Sequence, residues 1–313
     1  MQPAPLTFTP LFMERVWGGR GLEETFGKPL PDASPIGESW EVVDRPEAQS
    51  VVAAGPLAGT ELQQLWHEDR ERIFGGRASG AGDRFPILVK LLDARETLSV
   101  QVHPPAHLAE ELDGEPKNEL WYVAGAAPGA NLFAGLRKGV TQEDFSAALA
   151  AGEDVSAMLH RTEVQVGDAL FIPAGRVHAI GAGCLVVEIQ QSSDTTYRVF
   201  DFNRPGLDGK PRELHLPQSL ASIDFSDLEP ALRPPSDGLV LANENFTVTH
   251  RRIENAAERV TAEDECAIVC VLAGEATCGE ERFGPGSFFL VPAEAGSDLP
   301  VTGPAEVLGI ELP

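Results

Sequence analysis

Two histidines, a glutamate and a glutamine occupy positions from which their side chains can share one metal ion. In SVQVHPP, Ser99 to Pro105, Gln101 and His103 are separated by one residue, so on a strand both point to one face and Val102 to the other. The block KNELWYV, Lys117 to Val123, sets Glu119 at the start of an apolar strand, where a carboxylate is costly unless paired or coordinated. His178 closes the run GDALFIPAGRVH that begins at Gly167. Gly167 turns the chain into a short buried strand, the turn at Pro173 to Gly175 reverses it, and His178 points from the next strand into a barrel mouth. Two imidazoles, one carboxylate and one amide oxygen make an open N/O donor set suited to a catalytic zinc ion, with room for water or substrate.

A second polar cluster follows in EIQQSSDTTYRVFDFNR, Glu188 to Arg204. On a strand Glu188 and Gln190 share one face, and beyond them Asp194 and Arg198 bracket a turn of small polar residues. The Arg198 guanidinium is permanently charged and offers forked donors, which suits a phosphate group or a developing enediolate.

These side chains need a scaffold of short strands. Apolar runs of strand length recur in PILVKLL (Pro86 to Leu92), LWYVAG (Leu120 to Gly125), ALFIP (Ala169 to Pro173) and CLVVEI (Cys184 to Ile189), each bounded by Gly, Pro or Asp. The 31 glycines and 25 prolines suit tight turns, and the rhythm is that of a β-sandwich or barrel. Amphipathic helices are expected over Glu61 to Phe74 and Thr141 to Ala151, as insertions. EPALRPPSDG, near Leu228 to Asp237, reads as a linker between two units. Beyond it GPGSFFLVPAEAG, Gly284 to Gly296, echoes the run before His178 but carries no histidine in its place. Cys184, Cys266, Cys270 and Cys278 form no CxxC pair and read as reduced core residues.

The chain has 48 acidic and 24 basic residues and a formal charge of −24, a field that repels nucleic acid and anionic membrane. An anionic substrate therefore needs local cations. Of only five lysines, Lys90 and Lys117 fall beside the proposed metal donors. No segment approaches a membrane span and the N-terminal residues carry no secretory pattern, so a cytoplasmic protein is expected.

The G-x5-P-x-G-x2-H run ending at His178 resembles the second motif of the cupin superfamily. An ordered set of blocks then resembles class I mannose-6-phosphate isomerase in its short bacterial form: ERVWGG (Glu14 to Gly19), IGESWEV (Ile36 to Val42), FPILVKLLDARETLSVQVHP (Phe85 to Pro104), KNELWYV, GRVHAIGAG (Gly175 to Gly183) and the cluster from Glu188 to Arg204. The resemblance implies an all-β-dominated fold of two cupin-like jelly-roll (double-stranded β-helix) units with a few inserted α-helices. A catalytic unit is expected over residues 1–230, with helical insertions near 60–75 and 141–160, and a C-terminal unit without metal ligands over 231–313.

The same resemblance implies interconversion of mannose 6-phosphate and fructose 6-phosphate through an enediol(ate), with one zinc ion per chain on Gln101, His103, Glu119 and His178. It draws Lys90, Ser99, Lys117, Glu188, Asp194 and Arg198 into the pocket. Lys90 and Ser99 are assigned to phosphate, Arg198 to phosphate or oxyanion contact, and Lys117 and Glu188 to proton transfer. Glu188, Asp194, Lys117 and a zinc-bound water stay open as the base. Longer members of the family typically have Lys-Pro before the glutamate, where this chain has Lys117-Asn118. The expected partner is a small sugar phosphate, with no nucleic acid and no membrane, and the expected state a monomer or weak homodimer. Two other readings use the same fold. A metal-dependent cupin oxygenase usually takes an H-x-H pair where Gln101-Val-His103 stands, and a non-catalytic sugar-binding cupin with an eroded site would lose Lys117, Glu188 or Arg198.

Overall fold

The computed structural model of the protein describes residues 4–254, 256–296 and 298–313. The apolar runs become strands of antiparallel sheets, and the fold is dominated by β-structure. A six-stranded sheet orders Leu11–Gly19, Ile36–Val42, Ile87–Ala94, Cys184–Gln191, Glu119–Ala126 and Ala169–Ile172. A five-stranded sheet orders Tyr197–Phe200, Val100–Val102, His178–Ile180, Asn131–Leu136 and Leu159–Glu163. The strands Ile87–Ala94 and Ile36–Val42 are buried at every residue, as expected where both faces of a sheet are covered.

Alternation along these strands decides what enters the site. Val89, Leu91, Leu120, Tyr122, Val187 and Ile189 join one core cluster, while Leu92, Trp121, Val123 and Val186 pack with Leu132, Ala134 and Ile180 of the five-stranded sheet. Lys90, Glu119 and Glu188 sit on the second face, between the two sheets, by period-two alternation. Register then aligns them: Glu188 lies opposite Lys90 on one side and Trp121 on the other, and Gln190 opposite Glu119. In the facing sheet Gln101 pairs with His178 on one side and Arg198 on the other.

The outer face of the five-stranded sheet is covered by the helix Gln142–Ala150, which buries Phe145, Ala148 and Leu149 against Val100, Val102 and Ala179. Thr141 and Asp144 close a capping box at its start. The helical stretch ends at Ala150, with only a short 3-10 turn over Val155–Met158 before the strand at Leu159. The expected helix over Glu61 to Phe74 is broken at Asp69 into Leu62–Glu68 and Arg70–Phe74. The break lets Trp66 and Phe74 both pack on Phe85, with ring centroids 5.4 Å away in each case. Short helices at Gly21–Phe26, Ala106–Ala109 and Leu216–Ser222 had no clear pattern in sequence.

A further five-stranded sheet, Gly238–Ala242, Thr247–Ile253, Ala305–Glu311, Ala267–Gly274 and Phe288–Val291, packs Val248, Ile268, Leu308 and Ile310 into the same cluster as Val89 and Tyr122. The Pro-rich stretch before it is not a free tether. Glu229 N donates to Leu136 O (3.0 Å), and Arg233 and Ala169 exchange backbone bonds of 2.8 and 2.9 Å. Leu6 likewise pairs with Leu290 through two 2.8 Å bonds, so the chain's early residues extend the last sheet. All four cysteines are buried and unpaired. No described helix is long and apolar enough to cross a membrane.

Candidate active site

His103, Glu119 and His178 converge between the sheets, with donor atoms all within 4.8 Å of one another and no side-chain exposure. Their orientation is fixed from behind. His103 Nδ1 donates to the Thr195 carbonyl and His178 Nδ1 to the Arg176 carbonyl, each at 2.8 Å, which leaves a lone pair on each Nε2. Those Nε2 atoms stand 3.6 and 3.5 Å from the two oxygens of Glu119. Burial pushes the His178 imidazole down to about 3, only partly opposed by Glu119, and lowers His103 in the same direction. Both rings are therefore neutral and ready to coordinate. Gln101 completes the group, its amide 3.2 Å from His178 Nε2.

His103 Nε2 and Glu119 Oε1 are buried without a hydrogen-bond partner, and the close donor to Glu119 Oε2 is the Lys117 ammonium. Acceptors facing one another in a dry interior are unfavourable unless a cation lies among them. The ammonium of Lys117 stands 2.9 Å from Glu119 Oε2 as an ion pair, on the cleft side of the carboxylate. A donor set of two imidazoles, a carboxylate and an amide fits a divalent ion such as zinc.

The donors lie behind a cleft of about 540 Å³ whose wall includes Gln101, Lys117, Lys90, Ser99, Glu188, Asp194 and Arg198. Lys90 Nζ reaches Glu188 at 3.4 Å, Glu38 at 3.6 Å and Asp194 at 4.0 Å. Lys117 Nζ lies 3.9 Å from Glu188, whose other oxygen accepts from the Trp121 indole at 3.0 Å. Burial raises the Glu188 carboxyl, and the neighbouring lysines do not cancel that. Burial would lower Lys117, but Glu119 and Glu188 outweigh it and hold the ammonium above its ordinary range. Arg198 differs from both lysines: it makes no ion pair among the described residues, donates from Nη1 to the Glu213 carbonyl at 2.8 Å, and keeps a buried Nε without a partner. Its neighbour Arg212 is instead clamped on Asp201 at 2.6 and 2.5 Å.

The match to known proteins is extensive. The mannose-6-phosphate isomerase ManA of Bacillus subtilis is 36% identical over 309 residues, covering 97% of this chain and 89% of the relative. The chain belongs to the type I phosphomannose isomerase family. The family's catalytic-domain description matches residues 6–122, which contain Lys90, Gln101, His103, Lys117 and Glu119. The mannose-6-phosphate isomerase of Streptococcus mutans is 37% identical over 289 residues, 88% of this chain and 89% of its own. The crystal structure of mannose 6-phosphate isomerase from Bacillus subtilis superposes with a TM-score of 0.86 at 31% identity, over 99% of this chain and all of the other.

The site residues singled out from the sequence do not include every residue of the cleft wall. Arg15, Glu38, Trp17 and Arg212 also form the wall. Glu38 accepts from Arg15 Nε at 2.8 Å and from the Trp40 indole at 2.6 Å, and Lys90 lies over the Trp40 ring at 4.7 Å. The only local signal was that Glu38 and Arg15 stand in two of the family-like blocks. Nothing in their spacing marks them as inward-facing, because that follows from pairing Ile36–Val42 beside Ile87–Ala94.

Proposed function

We propose that this isomerase holds one zinc ion on Gln101, His103, Glu119 and His178 and interconverts mannose 6-phosphate and fructose 6-phosphate through an enediol. Membership of the family makes the chain an aldose–ketose isomerase. The zinc reading is carried by one observation: His103 Nε2 and Glu119 Oε1 are buried without a hydrogen-bond partner, in a cluster of His103, Glu119 and His178 whose donor atoms all lie within 4.8 Å of one another. When bound, the ion supplies fixed positive charge beside the substrate oxygens that gain negative charge during the reaction.

Charge balance supports the pairing of ion and substrate. Around the cleft Glu38, Glu119, Glu188 and Asp194 are matched in number by Lys90, Lys117, Arg15 and Arg198, so a divalent cation and a phosphate dianion enter together without net charge. Lys90 is ringed by three carboxylates, whereas Arg198 makes no ion pair among the described residues. Arg198 is therefore the principal cation for phosphate or oxyanion, with Ser99 and Lys90 as supporting groups. Glu188, raised by burial, takes the substrate proton, and Lys117, held protonated, donates hydrogen bonds to the oxygens at the reacting carbons. Asp194, half exposed and 4.0 Å from Lys90, orders that lysine at the rim.

We read the finer architecture as two β-helix units, over 1–230 and 231–313, the second without metal ligands. Gly167 (φ +93°) and Gly286 (φ +77°) each stand two residues before a four-residue strand that is followed by Pro-Ala, which supports a repeated unit. The test of function is coupled detection of fructose 6-phosphate formed from mannose 6-phosphate, with metal analysis of the same sample. Protein loaded with zinc that gives no turnover overturns the reading.

A further inference from the structure

Asn118 is the residue before Glu119, and its side chain bridges parts of the fold that are far apart in sequence. Its Oδ1 accepts from the backbone N–H of Ala174 at 2.9 Å, inside the Pro173 to Gly175 turn that leads to His178. Its Nδ2 donates to Asn245 Oδ1 at 2.9 Å, in the turn between the strands Gly238–Ala242 and Thr247–Ile253. The orientation of the amide is fixed, because the partner at Ala174 is a donor. The backbone of Asn118 is also fully bonded: its N–H donates to Gln191 Oε1 at 2.8 Å and its carbonyl accepts from Gln191 N at 3.1 Å.

The turn that Asn118 grips is itself tied to the third donor. Gly175 N donates to the His103 carbonyl at 2.9 Å. One amide therefore joins the chain entering Glu119 to the turn before His178, and through that turn to the backbone of His103. The same amide is held from outside by Asn245.

We infer that Asn118 is a positioning residue for the metal centre, and that Asn245 is the point at which the C-terminal sheet acts on it. The inference rests on the zinc reading above. Outer groups that orient ligands typically carry roughly 10- to 100-fold in metal affinity or activity. This gives the C-terminal sheet a role that needs no catalytic side chain of its own: it steadies the chain entering the strand that begins at Glu119.

The experiment measures zinc affinity by competition with a chromogenic chelator, and kcat and KM on the zinc-loaded full chain, for wild type, Asn118→Ala, Asn118→Asp and Asn245→Ala. Asn118→Asp keeps the acceptor for Ala174 N and loses the donor to Asn245. Asn245→Ala changes only the outer partner and sits on a turn, so it remains informative if Asn118→Ala folds poorly. The expected result is zinc affinity reduced at least about 10-fold in Asn118→Ala, a smaller loss in Asn118→Asp and Asn245→Ala, and kcat lowered more than KM is raised. Cobalt-loaded Asn118→Ala is expected to show an altered visible spectrum. Variants that match wild type within twofold in affinity and kcat overturn the inference while leaving the zinc reading intact. Wild type that binds no zinc overturns the zinc reading and this inference with it.

Discussion

Lys117 Nζ lies 2.9 Å from Glu119 Oε2, with both side chains buried and only one residue between them in sequence. The Glu119 carboxylate thus faces two histidines on one side and an ammonium that lines the substrate cleft on the other. In the proposed function metal binding and substrate chemistry meet at this one group, and mutation is expected to separate the two.

Lys117→Met is expected to retain zinc and lose turnover by about 100- to 10,000-fold, the range for a group that handles protons or oxygens in the transition state. Zinc per chain and kcat, measured on one preparation, check this. Loss of zinc in step with activity would place Lys117 in ligand support rather than in chemistry.

His178→Ala removes a neutral, tautomer-fixed donor and is expected to abolish zinc binding. In wild type, zinc at a hundred times its dissociation constant raises stability by about 2.7 kcal/mol, visible as a higher melting temperature. The variant should melt at the same temperature with and without zinc. A zinc-induced rise that survives the substitution would remove His178 from the metal centre.

Arg198→Ala is expected to keep zinc and lose at least about 100-fold in kcat/KM, the scale for one preorganised donor aimed at developing charge. Arg198→Lys should recover only part, since an ammonium lacks the planar fork. Full recovery by lysine would show that charge alone is used there.

Glu38 gives a pH prediction of definite sign. Burial alone would raise its carboxyl, but Lys90, then Arg15 and the Trp40 indole, bring it down to about 2, against 4.5 for the free group. A lowered carboxyl stabilises the fold above pH 4.5, and that contribution fades as pH falls from 4.5 toward 2. At neutral pH it amounts to roughly 3 kcal/mol. Urea unfolding of Glu38→Gln should therefore lose stability less steeply than wild type over this acid range. Parallel curves would refute the linkage.

The cluster of His103, Glu119 and His178 was legible because each depends on local spacing: His103 through alternation with Gln101, Glu119 through its place at an apolar strand, His178 through a Gly and Pro-x-Gly frame. The strands around them were legible for the same reason. Arg15 and Glu38 were not, since their inward orientation comes from strand pairing over long sequence separations. The stretch from Leu228 to Asp237 has no side-chain period, and its docking uses backbone bonds to Leu136 and Ala169 that composition does not encode. The break at Asp69 reflects tertiary packing of Trp66 and Phe74 on Phe85, which overrides an otherwise continuous helical pattern.

The most direct measurement is a zinc titration of chelator-stripped protein followed by the coupled mannose 6-phosphate assay. Activity is predicted to be absent at the start, to rise in proportion to bound zinc, and to level off at one ion per chain. Full turnover in the stripped protein, or none at saturation, would contradict a zinc-dependent isomerase built on His103, Glu119 and His178.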